Sequence, residues 1–266
     1  MTKLLLTSAA LLVIAVLMAM TGRGGGNFHV LALVAAGQPM HQAATTGQLI
    51  LVVTALAALL VFQKNKIVDW KLALVIDPPT DVMALAGGYF AHLLPGAVLK
   101  WVFAGLLVLA AFFMLRPARE RPASDKKRFG FWRRKFGEHE YVVNLWLAIP
   151  LTAATGLVAG MVGISGGSFK IPLMVLACGV PMRVAVGTSS AMVAATALMG
   201  FLGHAAGGDF NPGWAIPLAG VALAGGLVGG LFSLRTSPRN LKRIFAYTTL
   251  AGAVFMGLNA ALSRSG

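Results

Sequence analysis

Two glycine-rich stretches of the chain each place a basic side chain three residues after a Gly-Gly pair. The first reads Gly-Gly-Asn-Phe-His and ends at His29, and the second reads Gly-Gly-Ser-Phe-Lys and ends at Lys170. A helix that begins at such glycines presents unpaired backbone N–H groups and the positive end of its dipole, which together favour a bound anion. The basic side chain beside each helix start strengthens that preference. The two stretches therefore predict a binding site for one small oxyanion.

Further hydrogen-bond donors follow each glycine stretch. Thr46 and Gln48 in the first half correspond to Thr188 and Ser190 in the second, where Ser189 lies between the pair. Hydroxyl and amide donors suit the oxygens of a tetrahedral or pyramidal anion. The predicted substrate-binding residues are Gly25, Gly26, Asn27, His29, Thr46, Gln48, Gly166, Gly167, Ser168, Lys170, Thr188, Ser189 and Ser190.

Four other ionisable residues are candidates for roles beside this site. Asp77 and Asp81 are the two carboxylates within an apolar segment, and they flank a Pro-Pro pair. One interpretation is a helix start, because Asp often caps a helix whose first residue is proline. The other is a proton-accepting pair that couples transport to the proton gradient. His41 and Arg183 follow Pro-Met in both halves and are candidate gate or entry residues.

The elements that position these residues are membrane helices. Of the 266 residues, 58% are hydrophobic and only 11% are charged, whereas a soluble domain carries about 25% charged residues. Much of the net charge of +14 lies between Arg116 and Lys135. That stretch is typical of a cytoplasmic loop rather than of a nucleic-acid-binding module. The single cysteine, Cys178, excludes an intrachain disulfide and a multi-cysteine metal site, and we expect neither metal nor cofactor.

The chain contains an internal duplication of one unit of five apolar segments. In the first half they cover 4–21, 27–36, 43–62, 72–92 and 97–115, and in the second 143–162, 168–178, 185–203, 214–233 and 244–262. The second segment of each half is too short to cross a bilayer and is predicted to be a half-helix or one arm of a broken hairpin. The predicted fold is all-α, with a first repeat at 1–115, a basic cytoplasmic loop at 116–141 and a second repeat at 142–266.

Basic residues in the connections predict the orientation, because such connections face the cytoplasm. They contain Lys64, Lys66, Lys71, the loop after Arg116, Arg235, Arg239, Lys242 and Arg243. The connections at 92–96 and 205–213 contain neither lysine nor arginine. An odd number of crossings per half satisfies both observations and makes the two repeats inverted. The alternative is four crossings and a re-entrant loop per half, with the repeats parallel.

These motifs resemble the TauE/SafE family of sulfite exporters and 4-toluene sulfonate uptake permeases. The matching motifs are Gly-x-x-Gly-Gly-x-Phe at 22–28 and 163–169, Gly-x-Pro at 37–39 and 179–181, Pro172, and Ala-Val-Gly-Thr-Ser at 185–189. The first half departs from the pattern. It has Val-Leu at 30–31, without the proline, and Thr-Thr-Gly at 45–47 in place of Gly-Thr-Ser.

The resemblance implies a multi-pass protein of the bacterial inner membrane. It further implies a secondary transporter that exports sulfite or an organosulfonate such as sulfoacetate by alternating access. The expected partners are that anion, the lipid bilayer, protons as a coupling ion and, as an alternative to a monomer, a second copy of the chain; nucleic acid is not expected. Two other hypotheses are a passive anion channel, or a carrier of another small organic anion. An intramembrane enzyme is disfavoured, because no base is spaced to activate Ser165, Ser168 or Ser189.

Overall fold

The computed structural model describes residues 2–95, 129–162, 167–208 and 210–262, together with some positions between 98 and 112. Gly166, most of the predicted segment at 97–115 and the basic loop as far as residue 128 lie outside the described residues. The helices are α1 (Thr2–Met20), α2 (Gly26–Ala35), α3 (Met40–Lys64), α4 (Trp70–Ile76), α5 (Pro78–Phe90), α6 (Leu145–Val162), α7 (Gly167–Pro172), α8 (Met182–Ala206), α9 (Pro212–Arg235) and α10 (Pro238–Leu262). A hairpin of β1 (Phe131–Phe136) and β2 (His139–Asn144) precedes α6, and a π-helical turn, Leu173–Ala177, continues α7.

Apart from 97–115, most of which lies outside the described residues, the predicted apolar segments correspond to helices, and the segment at 72–92 is divided between α4 and α5. The two halves match each other locally. The third segment of each half is a helix of 25 residues, α3 or α8. Pro39 and Pro181 precede them with φ at −56°, and each proline carbonyl accepts the N–H four residues later at 2.9 Å. Proline disfavours helix in the residue before it, so these two prolines set where both long helices begin. The short second segments are the 10-residue α2 and the 6-residue α7 with its π turn, as predicted.

Several helices have the length and composition of membrane spans. Within the described residues, α3, α6, α8 and α9 are long and apolar enough to cross a bilayer, and Leu4–Met20 of α1 forms a shorter apolar helix. Large apolar side chains face outward on these helices, for example Leu5, Leu60 and Ile216, each more than half exposed. An apolar exterior of this kind is stable in lipid and unfavourable in water. The protein is therefore a membrane protein.

The fourth segment of each half packs against helices of the opposite half, and it does so through glycine pairs at equivalent positions. A Cβ on Gly87 would lie 2.1 Å from the carbonyl oxygen of Leu157 in α6, and one on Gly229 would lie 2.3 Å from that of Val16 in α1. The neighbouring glycines of each pair lie against the third helix of the opposite half, α8 or α3. Such approaches leave room only for glycine and hold α5 and α9 tightly against the other repeat. The helix pairing therefore follows the duplication, whereas the inverted direction of the repeats stays a prediction.

The end of the predicted basic loop forms a β-hairpin, which the all-α prediction did not include. The two strands are antiparallel, with Phe131 opposite Asn144 and Phe136 opposite His139. Gly137 in the turn has φ of +57°, a conformation that glycine adopts without strain. Along β1 the sequence Phe-Trp-Arg-Arg-Lys-Phe alternates between exposed and half-buried positions, and Arg134 is on the inward face.

Candidate functional site

Lys170 lies on α7 and is completely buried. Its ammonium Nζ contacts the Asp77 carboxylate and donates to the Thr196 hydroxyl at 2.6 Å and to the Met192 carbonyl at 3.4 Å. These three partners match the three N–H donors of an ammonium group. The lysine predicted beside the second glycine break thus points at α5 and α8, and joins the predicted anion site to the predicted carboxylate pair.

Asp77 and Asp81 occupy the first turn of α5, as the helix-start interpretation requires. Asp77 is the N-cap residue and proline follows it, but its side chain makes no capping hydrogen bond. Its carboxylate instead pairs with Lys170, while the Asp81 carboxylate accepts a hydrogen bond from the Thr196 hydroxyl at 2.7 Å. The four side chains form one connected group, which we call the Lys170 cluster. Its members are Asp77, Asp81, Lys170 and Thr196.

The equivalent position in the first half has a different chemistry. His29 on α2 is completely buried, and neither of its ring nitrogens has a hydrogen-bond partner among the described residues. The ring lies against Gly25, where a Cβ would come within 2.9 Å of both Cε1 and Nε2. When the two halves are aligned on their glycine pairs, Asp77 of the first half corresponds to Ala219 of α9 and Asp81 corresponds to Leu223. The charged cluster therefore occurs once among the described residues, although the fold is duplicated.

The hydroxyl donors predicted for the site divide into two groups. Thr188 accepts the N–H of Asp69 at 2.9 Å, and Ser190 donates to the Val186 carbonyl at 3.2 Å, so both are engaged within the protein. Thr46 and Ser189 are completely buried, and their hydroxyl oxygens have no partner within the part of the chain that the structure describes. A buried hydroxyl without a partner costs free energy that a bound ligand can recover.

The first glycine break lies between the two long central helices. Gly24 has φ of +66°, and a Cβ there would come within 2.5 Å of Leu51 on α3 and 3.1 Å of Val193 on α8. Leu51 and Val193 are repeat-equivalent, so the break lies where the two halves meet. Gln48 on α3 is buried, and its side-chain amide lies against Gly200 of α8. These contacts bring the first break, α3 and α8 together.

For the remaining predicted residues the structure gives a position on a helix but no contact that bears on the site. Gly26 begins α2 and Gly167 begins α7, while nothing is described of the side chains of Asn27 and Ser168. The candidate gate residues His41 and Arg183 lie in the first turns of α3 and α8, half-buried and exposed respectively.

Sequence reasoning did not single out the buried Arg23, within the first glycine break. Its guanidinium donates to Thr248 at 2.7 Å and contacts Thr249, and it lies 3.9 Å from the centre of the Phe245 ring. These contacts fasten the break to α10. An arginine within a glycine-rich helix break was the available signal, because an ionisable residue inside a membrane segment is rarely without a role.

A second missed group lies around Asp69, outside the spans. Its carboxylate accepts two hydrogen bonds of 2.9 Å from Arg134, contacts the Tyr141 hydroxyl and caps α4 through the N–H of Leu72 at 3.2 Å. Burial alone would raise the pKa of Asp69, but the hydrogen bonds from Arg134 and Tyr141 outweigh it and lower the pKa below its ordinary value. Because the Asp69 N–H also binds Thr188, this group connects the hairpin to α4 and α8.

Comparisons with known proteins agree with the resemblance. Residues 7–256 match the family described as "Sulfite exporter TauE/SafE". The chain is 26% identical over 203 residues to "Probable membrane transporter protein YunE" of Bacillus subtilis (strain 168), which covers 75% of this chain and 74% of that protein. It is 25% identical over 221 residues to a "Probable membrane transporter protein" of Xylella fastidiosa (strain Temecula1 / ATCC 700964), covering 81% and 79%. No solved structure matches the chain. With nearly its whole length matched, the chain belongs to the sulfite exporter TauE/SafE family and is a membrane transporter.

Proposed function

We propose that this transporter carries a sulfite or organosulfonate anion, such as sulfoacetate, out of the cell across the bacterial inner membrane. The observation that carries the proposal is that three of the predicted site residues, His29, Thr46 and Ser189, are buried polar groups without partners among the described residues. All three lie in the segments that adjoin the glycine breaks. Groups of this kind are stabilised when a ligand supplies the missing hydrogen bonds.

The first glycine break supplies a helix N-terminus beside one of these groups. α2 has ten residues and begins after Gly25, which has φ of +94° and offers no side-chain cap. The His29 ring lies against that glycine. An uncapped helix start with an imidazole donor beside it favours an oxygen-rich anion over a cation.

The buried Lys170 supplies the positive charge that a sulfonate needs. Its ammonium is held by Asp77, so an anion has to compete with that carboxylate. Binding sites of secondary transporters lie near the bilayer midplane between the repeats. There a lysine buried in an apolar segment is a functional candidate, because its burial is costly. Inverted repeats that rock against each other would then expose the site alternately to the two sides.

The description of the family as sulfite exporters supports the substrate class and the outward direction. A thermal-shift measurement on the purified, detergent-solubilised protein tests the substrate class. At about 100 times its Kd, a ligand adds about 2.7 kcal/mol to the stability of the native state. Sulfite or sulfoacetate should therefore raise Tm well above the value in chloride or acetate at equal ionic strength. Stabilisation by acetate or another carboxylate alone would favour a carrier of other organic anions, and no stabilisation by any anion would refute the site.

A further inference from the structure

The Lys170 cluster combines one cation from α7, two carboxylates from the start of α5 and a hydroxyl from α8 inside the membrane protein. Asp77 contacts Lys170 directly, while Asp81 is reached through the Thr196 hydroxyl, which accepts from Lys170 at 2.6 Å and lies 2.7 Å from Asp81. With both carboxylates ionised the group carries a net charge of −1. A net charge in an apolar interior is unfavourable, so one proton shared by the two carboxylates stabilises the group.

The ionisable groups on neighbouring elements do not complete this cluster. α6, which packs against α5, contains no charged residue or histidine. On α8, His204 is directed at the Gly160 carbonyl, at 2.8 Å, and Arg183 is exposed. Asp69, which caps α4, is bound by Arg134. The cluster is therefore electrically self-contained among the described residues, and its charge can change only when a proton or a ligand enters it.

An anion that reaches Lys170 must displace one of its three partners, because the lysine already uses its three donors, and Asp77 is the one partner whose negative charge the anion replaces. The displaced carboxylate is then buried without its cation. An ionised group in that position is strongly disfavoured, and it neutralises by taking up a proton. Anion binding to Lys170 and protonation of Asp77 are therefore linked. A protonated Asp77 no longer competes for the lysine, and a bound anion leaves the Asp77 carboxylate without its cation.

We propose that the transported anion and the Asp77 carboxylate compete for Lys170, and that the displaced carboxylate takes one proton from the side to which the site is open. This inference rests on the anion transport proposed above, and it identifies the proton as the coupling ion of that site. The anion and the proton then cross together, and release of the anion returns the proton to solvent and re-forms the Lys170–Asp77 pair. No covalent bond changes, and the proton is bound and released once in each cycle.

The stoichiometry follows from the asymmetry between the two halves. The equivalent position has His29 of the first half in the place of Lys170, and Ala219 and Leu223 of the second half in the places of the aspartates. One proton therefore accompanies one anion, and transport of a monovalent anion is electroneutral. A difference of one pH unit is balanced by a tenfold gradient of the anion, because both correspond to about the same free energy. Export proceeds while the outward anion gradient exceeds the inward proton gradient.

The test uses the full-length protein in proteoliposomes with radiolabelled isethionate, a monovalent sulfonate. With the lumen one pH unit more alkaline than the outside, the wild-type protein should accumulate isethionate about tenfold. A potassium diffusion potential set with valinomycin should leave the accumulation unchanged. Accumulation that follows the potential and ignores the pH gradient would overturn the inference, whatever the variants show.

Two variants separate coupling from transport. Asp77→Asn should lose the pH-driven accumulation of isethionate, and the counterflow that it retains should not respond to the pH gradient. Glu138→Gln, at an exposed residue of the hairpin turn, is the matched control and should keep both. If the wild-type protein gives no counterflow, the proposed function fails. If it gives counterflow and Asp77→Asn still accumulates tenfold, the coupling inference alone fails.

Discussion

Replacing Lys170 by methionine tests the energetics of the buried ion pair. The lysine side chain is 0% exposed and the Asp77 side chain 6%, so the substitution leaves a buried carboxylate without its cation. Removing one partner of a buried pair costs about 3–5 kcal/mol. For a chain of this size that loss lowers Tm on the order of 10 °C. The loss should shrink in acid, where protonation of Asp77 removes the uncompensated charge.

The assay is thermal unfolding of the purified protein in detergent, carried out as a double-mutant cycle. Lys170→Met combined with Asp77→Asn should be more stable than the two single losses predict, by on the order of 1–3 kcal/mol. Lys71→Met, at an exposed lysine of α4, is the matched control and should change stability by less than about 0.5 kcal/mol. A loss below about 1 kcal/mol for Lys170→Met, or additive losses in the cycle, would contradict the structural reasoning.

Three further predictions follow from the described contacts. Gly229→Leu should lower Tm strongly or prevent recovery of folded protein, because a Cβ there meets the α1 backbone at 2.3 Å; Gly220→Leu on the same helix, with open space around it, should not. Asp69→Asn should destabilise by about 1.5–3 kcal/mol at pH 7 and speed tryptic cleavage within the hairpin. Since the pKa of Asp69 is lowered on folding, that contribution is present at neutral pH and lost as the pH falls through the folded pKa. Equal stability of wild type and Asp69→Asn at pH 7 would contradict this. Thr46→Val and Ser189→Ala should not destabilise the protein, because neither hydroxyl has a partner among the described residues, but each should weaken sulfite or sulfoacetate binding in the thermal-shift assay. Unchanged binding in both would remove them from the site.

The helices and the duplication could be predicted from sequence because both are encoded locally. Apolar runs of membrane length and a proline before each long helix indicate α3 and α8 with errors of only three residues at each start and two or three at each end. The glycine pairs at 87–88 and 229–230 occupy equivalent positions in the two halves, and the structure places both at close helix contacts. Which helix each pair contacts depends on the tertiary fold, and here it is a helix of the opposite half.

The site was predicted in part, and its missing features are long-range. Lys170 and Asp77 are 93 residues apart, and both were candidates, but no local pattern indicates that they pair. Asp69 and Arg134 are 65 residues apart, and the arginine lies in a basic stretch that resembles an ordinary cytoplasmic loop. The hairpin itself had a local signal, in the alternation of aromatic and basic residues before Gly137. The hairpin was not predicted because the basic residues of the same stretch were interpreted as a cytoplasmic loop.

Counterflow in proteoliposomes tests the central claim, carrier transport of a sulfur oxyanion, most directly. Vesicles loaded with unlabelled sulfite or sulfoacetate, diluted into labelled substrate, should take up label transiently against its gradient. Empty vesicles and vesicles with Lys170→Ala should not. Saturable counterflow that depends on Lys170 is the predicted result. Label that only equilibrates, without an overshoot, would indicate a passive channel, and wild-type activity of Lys170→Ala would contradict the assigned site.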